Sequence, residues 1–166
     1  MLAVAALARA EAPEAIETPS IDMPGYLRVA AEAAAHRERH RLSEQEFARL
    51  AQRAGTVILD ARSREKYDLL HVAGAVNLSF PDIAVATLRE QIPNRSTRIL
   101  IYCNNNFADA PDAFPTKLPA ASLNLSTFIA LYTYGYRNVW ELAGPPIDPA
   151  RSLLTFEGTE VGGGLR

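Results

Sequence analysis

One cysteine, Cys103, stands in a chain of 166 residues. No intrachain disulfide can form, and cysteine usage therefore reports no redox compartment. Long apolar runs are missing too, so no membrane span is expected. Positive charge is not in excess: the formal net charge is -2 and the pI about 5.9, which removes the electrostatic reason to expect nucleic acid or an anionic membrane as partner. No internal repeat is visible. Metal-ligand clusters are equally scarce. His36 and His40 have the one-turn spacing of a ligand pair on a helix, but Arg37, Arg39 and Arg41 interleave with them and no third ligand follows. That pattern is a solvated positive face, and neither a metal nor another cofactor is expected.

What is present is an ordinary globular composition, 48% hydrophobic and 22% charged, at a length that forms one domain with an extension. Residues 1–24 read as a signal remnant followed by a linker. Leu2–Ala8 is a short apolar run, and Ala8-Arg9-Ala10 before Glu11 has the small-x-small form of a signal-peptidase site. This pattern implies a periplasmic or secreted protein; if the run is only an Ala-rich helix, the protein is cytoplasmic. Pro13, Pro19 and Pro24 punctuate the linker. Residues 25–41 are Ala-rich and predict an N-terminal helix, residues 42–150 the main domain, and residues 151–166, with Gly162-Gly-Gly164, a flexible tail.

Within the main domain, strand and helix patterns alternate. Ser43 and Glu46 form a capping box ahead of a helix to about Arg53, and Gly55 ends it. Thr56-Val-Ile-Leu-Asp60 is a β-branched strand with a carboxylate at its C-terminal end. Ser63 caps a short helix to Leu70, and His71-Val-Ala-Gly-Ala75 turns into a strand at Val76-Asn-Leu78. Pro81 opens a helix to about Gln91. Leu123–Tyr134 returns to helical spacing, closed by Gly135, and Tyr136–Leu142 is a last strand. Such alternation implies a parallel α/β sheet with helices on both faces.

The chemistry is expected at Arg98-Ile-Leu-Ile-Tyr-Cys103-Asn-Asn-Asn106. A continuous apolar strand delivers the thiol to its C-terminal end, where open α/β sheets build sites. Asparagines tolerate left-handed backbone, so three in a row can curl the chain and gather N–H groups around an anionic sulfur. Phe107 to Ser122 follows with Pro111, Pro115 and Pro119 and no periodicity, which predicts a long loop acting as a lid or binding segment.

Four ordered pieces carry a resemblance: Ile58-Leu-Asp-Ala-Arg62; Ser63-x-Glu65-x-Tyr67 with His71-Val-Ala-Gly-Ala75; Ile99 to Cys103; and Gly135-Tyr-Arg-Asn-Val139 leading into Glu141-Leu142. In this order, from about Leu42 to Leu142, the chain resembles a rhodanese-like (sulfurtransferase) domain. The resemblance implies a parallel-sheet three-layer α/β sandwich, here with an N-terminal helical extension. It implies that Cys103 is the nucleophile that takes sulfur from a donor such as thiosulfate and passes it, as a persulfide, to a thiol or cyanide. Asn104, Asn105, Asn106 and Phe107 are then the substrate-binding candidates, and Asp60, Arg62 and His71 structural residues near the site. One departure is sharp. Typical active members of the family follow the cysteine with a tight loop that often carries an arginine, whereas here no arginine follows Cys103 until Arg137. Lys117 is the only cation in the loop, and Asp109 stands where related phosphatases and arsenate reductases place an arginine, so it would repel an oxyanion. The alternative function is therefore a catalytically inactive module that grips a partner protein or a small thiol through the long loop.

Overall fold

A computed structural model of the chain describes residues 18–161; the signal-like run Leu2–Ala10 and the glycines Gly162–Gly164 lie outside them. Helix α1 (Met23–Arg37) leads into the short strand β1 (Arg41–Leu42) and helix α2 (Glu44–Ala51). Strand β2 (Thr56–Asp60), helix α3 (Arg64–Leu69) and the short strands β3 (His71–Val72) and β4 (Val76–Asn77) follow. Helix α4 (Val85–Gln91), strand β5 (Arg98–Tyr102), helix α5 (Leu123–Thr133), strand β6 (Val139–Leu142) and strand β7 (Phe156–Glu157) complete the order.

Five of these strands form one parallel sheet in the order β1-β6-β5-β2-β4, with β5 at its centre. The pleat of β5 explains its unbroken apolar sequence. Ile99 and Ile101 point to one face, where they join Leu59, Leu88, Ile92, Phe128, Leu131 and Val139 under α1, α4 and α5. Leu100 and Tyr102 point to the other, where they join Phe47, Leu70, Phe107, Phe114 and Leu142. A strand buried on both faces has no polar side to alternate with. The result is the three-layer α/β sandwich expected from the sequence.

Local signals set the boundaries. Ser43 and Glu46 make both bonds of the capping box at the start of α2, and Ser63 Oγ accepts from Lys66 N–H at the start of α3. Gly135, at φ +91°, lets Tyr136 N–H fold back onto Leu131 O and stops α5.

Four expectations change. The N-terminal helix ends at Arg37, four residues short, because the chain turns at His40 and Arg41–Leu42 pairs with Glu141–Leu142 as an edge strand. The helix expected from Pro81 is split into a 3-10 turn at Phe80–Asp82 and α4. Thr87 Oγ1 causes the split: it accepts from Ala84 N–H at 3.1 Å and donates to Asp82 O at 2.6 Å, while Ile83 between the two turns enters the core. The described part of the tail is held rather than loose, since Leu154 is buried and Phe156–Glu157 pairs antiparallel with His71–Val72. Finally, the first half of the loop after Asn106 is core. Phe107, Ala110, Ala113 and Phe114 are buried, and burying each phenylalanine contributes about 1.5–3 kcal/mol toward ordering a segment with no regular structure.

Candidate functional site

Cys103 follows Tyr102 with extended backbone (φ −145°), so it continues the alternation of β5 and projects toward the α5 side of the sheet. Its Sγ lies 3.3 Å from Oγ of Ser122. Ser122 is the N-cap residue of α5, yet its hydroxyl makes no capping bond to the helix. The sulfur therefore meets a hydroxyl that is free to donate to it, on the first residue before an eleven-residue helix.

The asparagines have separate tasks. Asn106 is a junction: its Oδ1 accepts from Cys103 N–H at 2.8 Å and from Asn124 Nδ2 at 3.1 Å, and its Nδ2 donates to Leu142 O at 2.8 Å. One side chain thus ties the cysteine to α5 and to the end of β6. Asn105 holds the returning loop, donating from Nδ2 to Lys117 O and accepting from Lys117 N–H, both at 2.9 Å. Asn104 is buried and stands in a 3-10 turn with its two neighbours. The N–H groups of Asn106 and Phe107, expected to converge on the sulfur, are instead taken up by the carbonyls of Cys103 and Asn104 in that turn. Phe107 packs in the opposite core against Tyr102, Phe114 and Phe156.

Two cavities flank the turn. Cys103, Asn105, Asn106 and Ser122 line one of about 210 Å³, together with Arg37, Arg41 and Glu141. Cys103 itself is only 1% exposed. A second cavity of about 450 Å³ lies beside Asn104 and is lined by Arg62, Lys66, Phe80 and Lys117. Lys117, the one cation of the loop, is thus placed at a cavity that Cys103 does not line.

Asp60 and Arg62 form a buried ion pair, with Arg62 Nε 3.0 Å from Asp60 Oδ1. The pair does more than hold a strand end. Arg62 Nη1 donates to Ala113 O at 2.8 Å, Nη2 donates to Leu70 O at 2.7 Å, and the guanidinium stacks 4.1 Å over the Phe114 ring. The loop is thereby fastened to the scaffold from beneath. Tyr102 Oη donates to Asp60 Oδ2 at 2.6 Å and accepts from Val72 N–H at 3.2 Å. Burial, reinforced by the Asp60 carboxylate, pushes this phenol well above its ordinary range, so it remains a donor. His71 Nδ1–H donates to Tyr67 O at 2.7 Å and the two rings stack at 3.6 Å, while Tyr67 Oη donates to Ala75 O. These contacts clamp the turn that contains Gly74.

His36 Nε2–H donates to Arg137 O and His40 Nδ1–H to His36 O, both at 2.8 Å. Among the described residues no group of three or more His, Cys, Asp or Glu side chains could hold a metal ion, and no helix is long and apolar enough to cross a membrane.

Ser122, Asn124, Arg37, Arg41 and Glu141 were not singled out from the sequence. Ser122 had a partial signal, a serine directly before a helical pattern. The arginines carried none, since only sheet pairing brings the end of the extension to the strand beside Cys103.

A family model described as "Rhodanese-like domain" matches residues 43–144. A search of curated proteins finds no match. Among solved structures, a rhodanese-like domain from Anabaena sp. is similar at 19% identity with a TM-score of 0.52, over 74% of this chain and 82% of that one. A rhodanese from E. coli is 20% identical with a TM-score of 0.40, over 62% of this chain and 98% of that one. A thiosulfate sulfurtransferase from Pseudomonas aeruginosa is 23% identical with a TM-score of 0.44, over 70% of this chain but 20% of its own.

Proposed function

The chain belongs to the rhodanese-like domain family, and on that premise we propose that it is a sulfurtransferase in which Cys103 carries sulfane sulfur as a persulfide. With thiosulfate as donor, the Cys103 thiolate attacks the outer sulfur; a new S–S bond forms, the donor's S–S bond breaks, and sulfite leaves with the electron pair. A thiolate or cyanide then attacks the outer sulfur of the persulfide, taking it as a new persulfide or as thiocyanate and returning the Cys103 thiolate. No cofactor is needed. The observation that carries the reading is the placement of Cys103 Sγ 3.3 Å from Ser122 Oγ at the start of α5, on the wall of a cavity. Asn105, Asn106 and Asn124 line the same cavity, which supports Asn105 and Asn106 as substrate neighbours in this reading. Export through the Ala8-Arg9-Ala10 site belongs to this reading, and N-terminal sequencing of the protein from a periplasmic fraction tests it.

Intact-mass measurement after incubation with thiosulfate or a polysulfide is the direct test. The expected result is a gain of one sulfur atom that vanishes in Cys103→Ser and on adding cyanide. A folded protein that gains no sulfur from any sulfane donor overturns the reading. One observation favours a second reading: Cys103 is 1% exposed, as in a domain that keeps the fold without turnover and binds a partner protein or a small thiol. That reading is supported if the cysteine stays unloaded while a thiol still binds.

A further inference from the structure

Part of the lining of the cavity beside Cys103 comes from a segment that precedes the family match. Arg37 ends α1 and Arg41 begins β1, and both lie before residue 43, where the rhodanese-like match starts. Each reaches Glu141 of β6. Arg37 grips it with two nitrogens, its Nε 2.8 Å from Oε2 and its Nη2 on Oε1. Arg41 makes a single looser approach, Nε to Oε1 at 3.6 Å. Exposure separates them further: the Glu141 side chain is 3% exposed, Arg37 23% and Arg41 47%. Among the described residues lining this cavity, two guanidinium groups face one carboxylate, which leaves a surplus positive charge. Glu141 satisfies Arg37 through a paired contact and holds Arg41 only at its edge, so Arg41 is the group free to turn to a ligand. Cys103 and both arginines line the same cavity, which at about 210 Å³ admits a molecule of a few heavy atoms.

We propose that Arg41 selects anionic sulfane donors, its guanidinium binding the oxyanion end of a small thiosulfate- or thiosulfonate-type molecule while Cys103 attacks the outer sulfur. The cation absent from the loop after Cys103 is thus supplied by the N-terminal segment, and the site is completed by sheet pairing between Arg41 and Glu141. Arg37 acts through Glu141 as a positioning residue. This inference rests on the sulfur-transfer reading for its chemistry, while its binding component can be measured apart from turnover.

Two measurements test it. In the first, loss of the free Cys103 thiol is followed in the natural protein, Arg41→Ala and Arg41→Lys with two donors: thiosulfate, which leaves a persulfide and releases sulfite, and a neutral dialkyl trisulfide, which leaves an alkyl mixed disulfide or trisulfide and releases the alkyl persulfide or thiolate. The ratio of kcat/KM for thiosulfate to that for the trisulfide should fall about tenfold or more in Arg41→Ala, mainly through KM, and recover in part in Arg41→Lys. An unchanged ratio overturns the role of Arg41, whether both rates fall together or neither falls. In the second, thiosulfate is titrated calorimetrically into Cys103→Ser and into the double variant with Arg41→Ala. Binding should weaken about tenfold in the double variant and weaken with added salt. If the natural protein gains no sulfur yet this binding difference holds, sulfur transfer fails and the anion site stands. Equal binding by the two variants overturns the anion site.

Discussion

Cys103 Sγ and Ser122 Oγ are 3.3 Å apart although 19 residues separate them in the chain. The contact exists because the loop between them is fastened down and returns the start of α5 to the end of β5. A hydroxyl donor to a thiolate or persulfide is a charge-assisted hydrogen bond, worth about 1.5–3 kcal/mol. Ser122→Ala should therefore slow persulfide formation at Cys103 by about 10- to 100-fold with little loss of fold stability, since Ser122 does not cap α5. Single-turnover kinetics with thiosulfate, beside a urea melt of the same variant, read the two effects separately. A rate equal to that of the natural protein would remove Ser122 from the mechanism.

Arg62 should be the costliest polar residue to truncate. It is buried with Asp60 and also holds Ala113 O and Leu70 O. Arg62→Met leaves the Asp60 charge and two carbonyls without their partner, and breaking a buried pair in this way costs about 3–5 kcal/mol. Urea denaturation should show that loss. Hydrogen exchange should show protection falling first around Ala113 and Phe114.

High pH should expose the bond between Tyr102 and Asp60. Tyr102 is raised well above the ordinary value of 10.0, chiefly by burial and then by the Asp60 carboxylate. A raised folded-state value means that its contribution is fully present below the unfolded-state value near 10.0 and is lost as pH rises past it, because the unfolded chain releases the proton first. Tyr102→Phe should lower stability by about 1–3 kcal/mol at neutral pH, from an unpaired Val72 N–H and a lost donor to Asp60. The variant should also lose less than the natural protein between pH 9.5 and 11, which parallel thermal melts would reveal. Equal slopes in that window would count against the linkage.

Loss of the Asn105 side chain should make the thiol easier to reach. Its two hydrogen bonds to Lys117 close the loop beside the cavity, and at about 0.5–1.5 kcal/mol each their loss leaves the loop attached but more often open. Asn105→Ala should raise the rate of Cys103 alkylation by iodoacetamide about five- to fifty-fold while costing about 1–3 kcal/mol of stability or less. Unchanged alkylation would mean that another segment controls entry.

Much of the scaffold was legible before any coordinates. The β-branched runs at Thr56–Asp60 and Ile99–Tyr102, the Ser43 capping box and the Gly135 stop are local signals, and each formed where its chemistry directs. The structure departs from local preference where long-range contacts override it. Arg41–Leu42 left an Ala-rich helical pattern to pair with β6, and Phe156–Glu157 left a Gly-containing tail to pair with β3. Proline spacing made residues 107–122 read as an open excursion, but Phe107 and Phe114 are apolar enough to draw its first half into the core.

The amino-acid order by itself determined the alternation of strands and helices, the delivery of Cys103 to a strand end, and the absence of an arginine in the loop after it, because these depend on neighbours within a few positions. Only the tertiary structure decided what surrounds the sulfur. Ser122, Arg37, Arg41 and Glu141 reach that cavity through sheet register and helix packing, and contacts between residues so far apart in the chain leave no periodic trace in it.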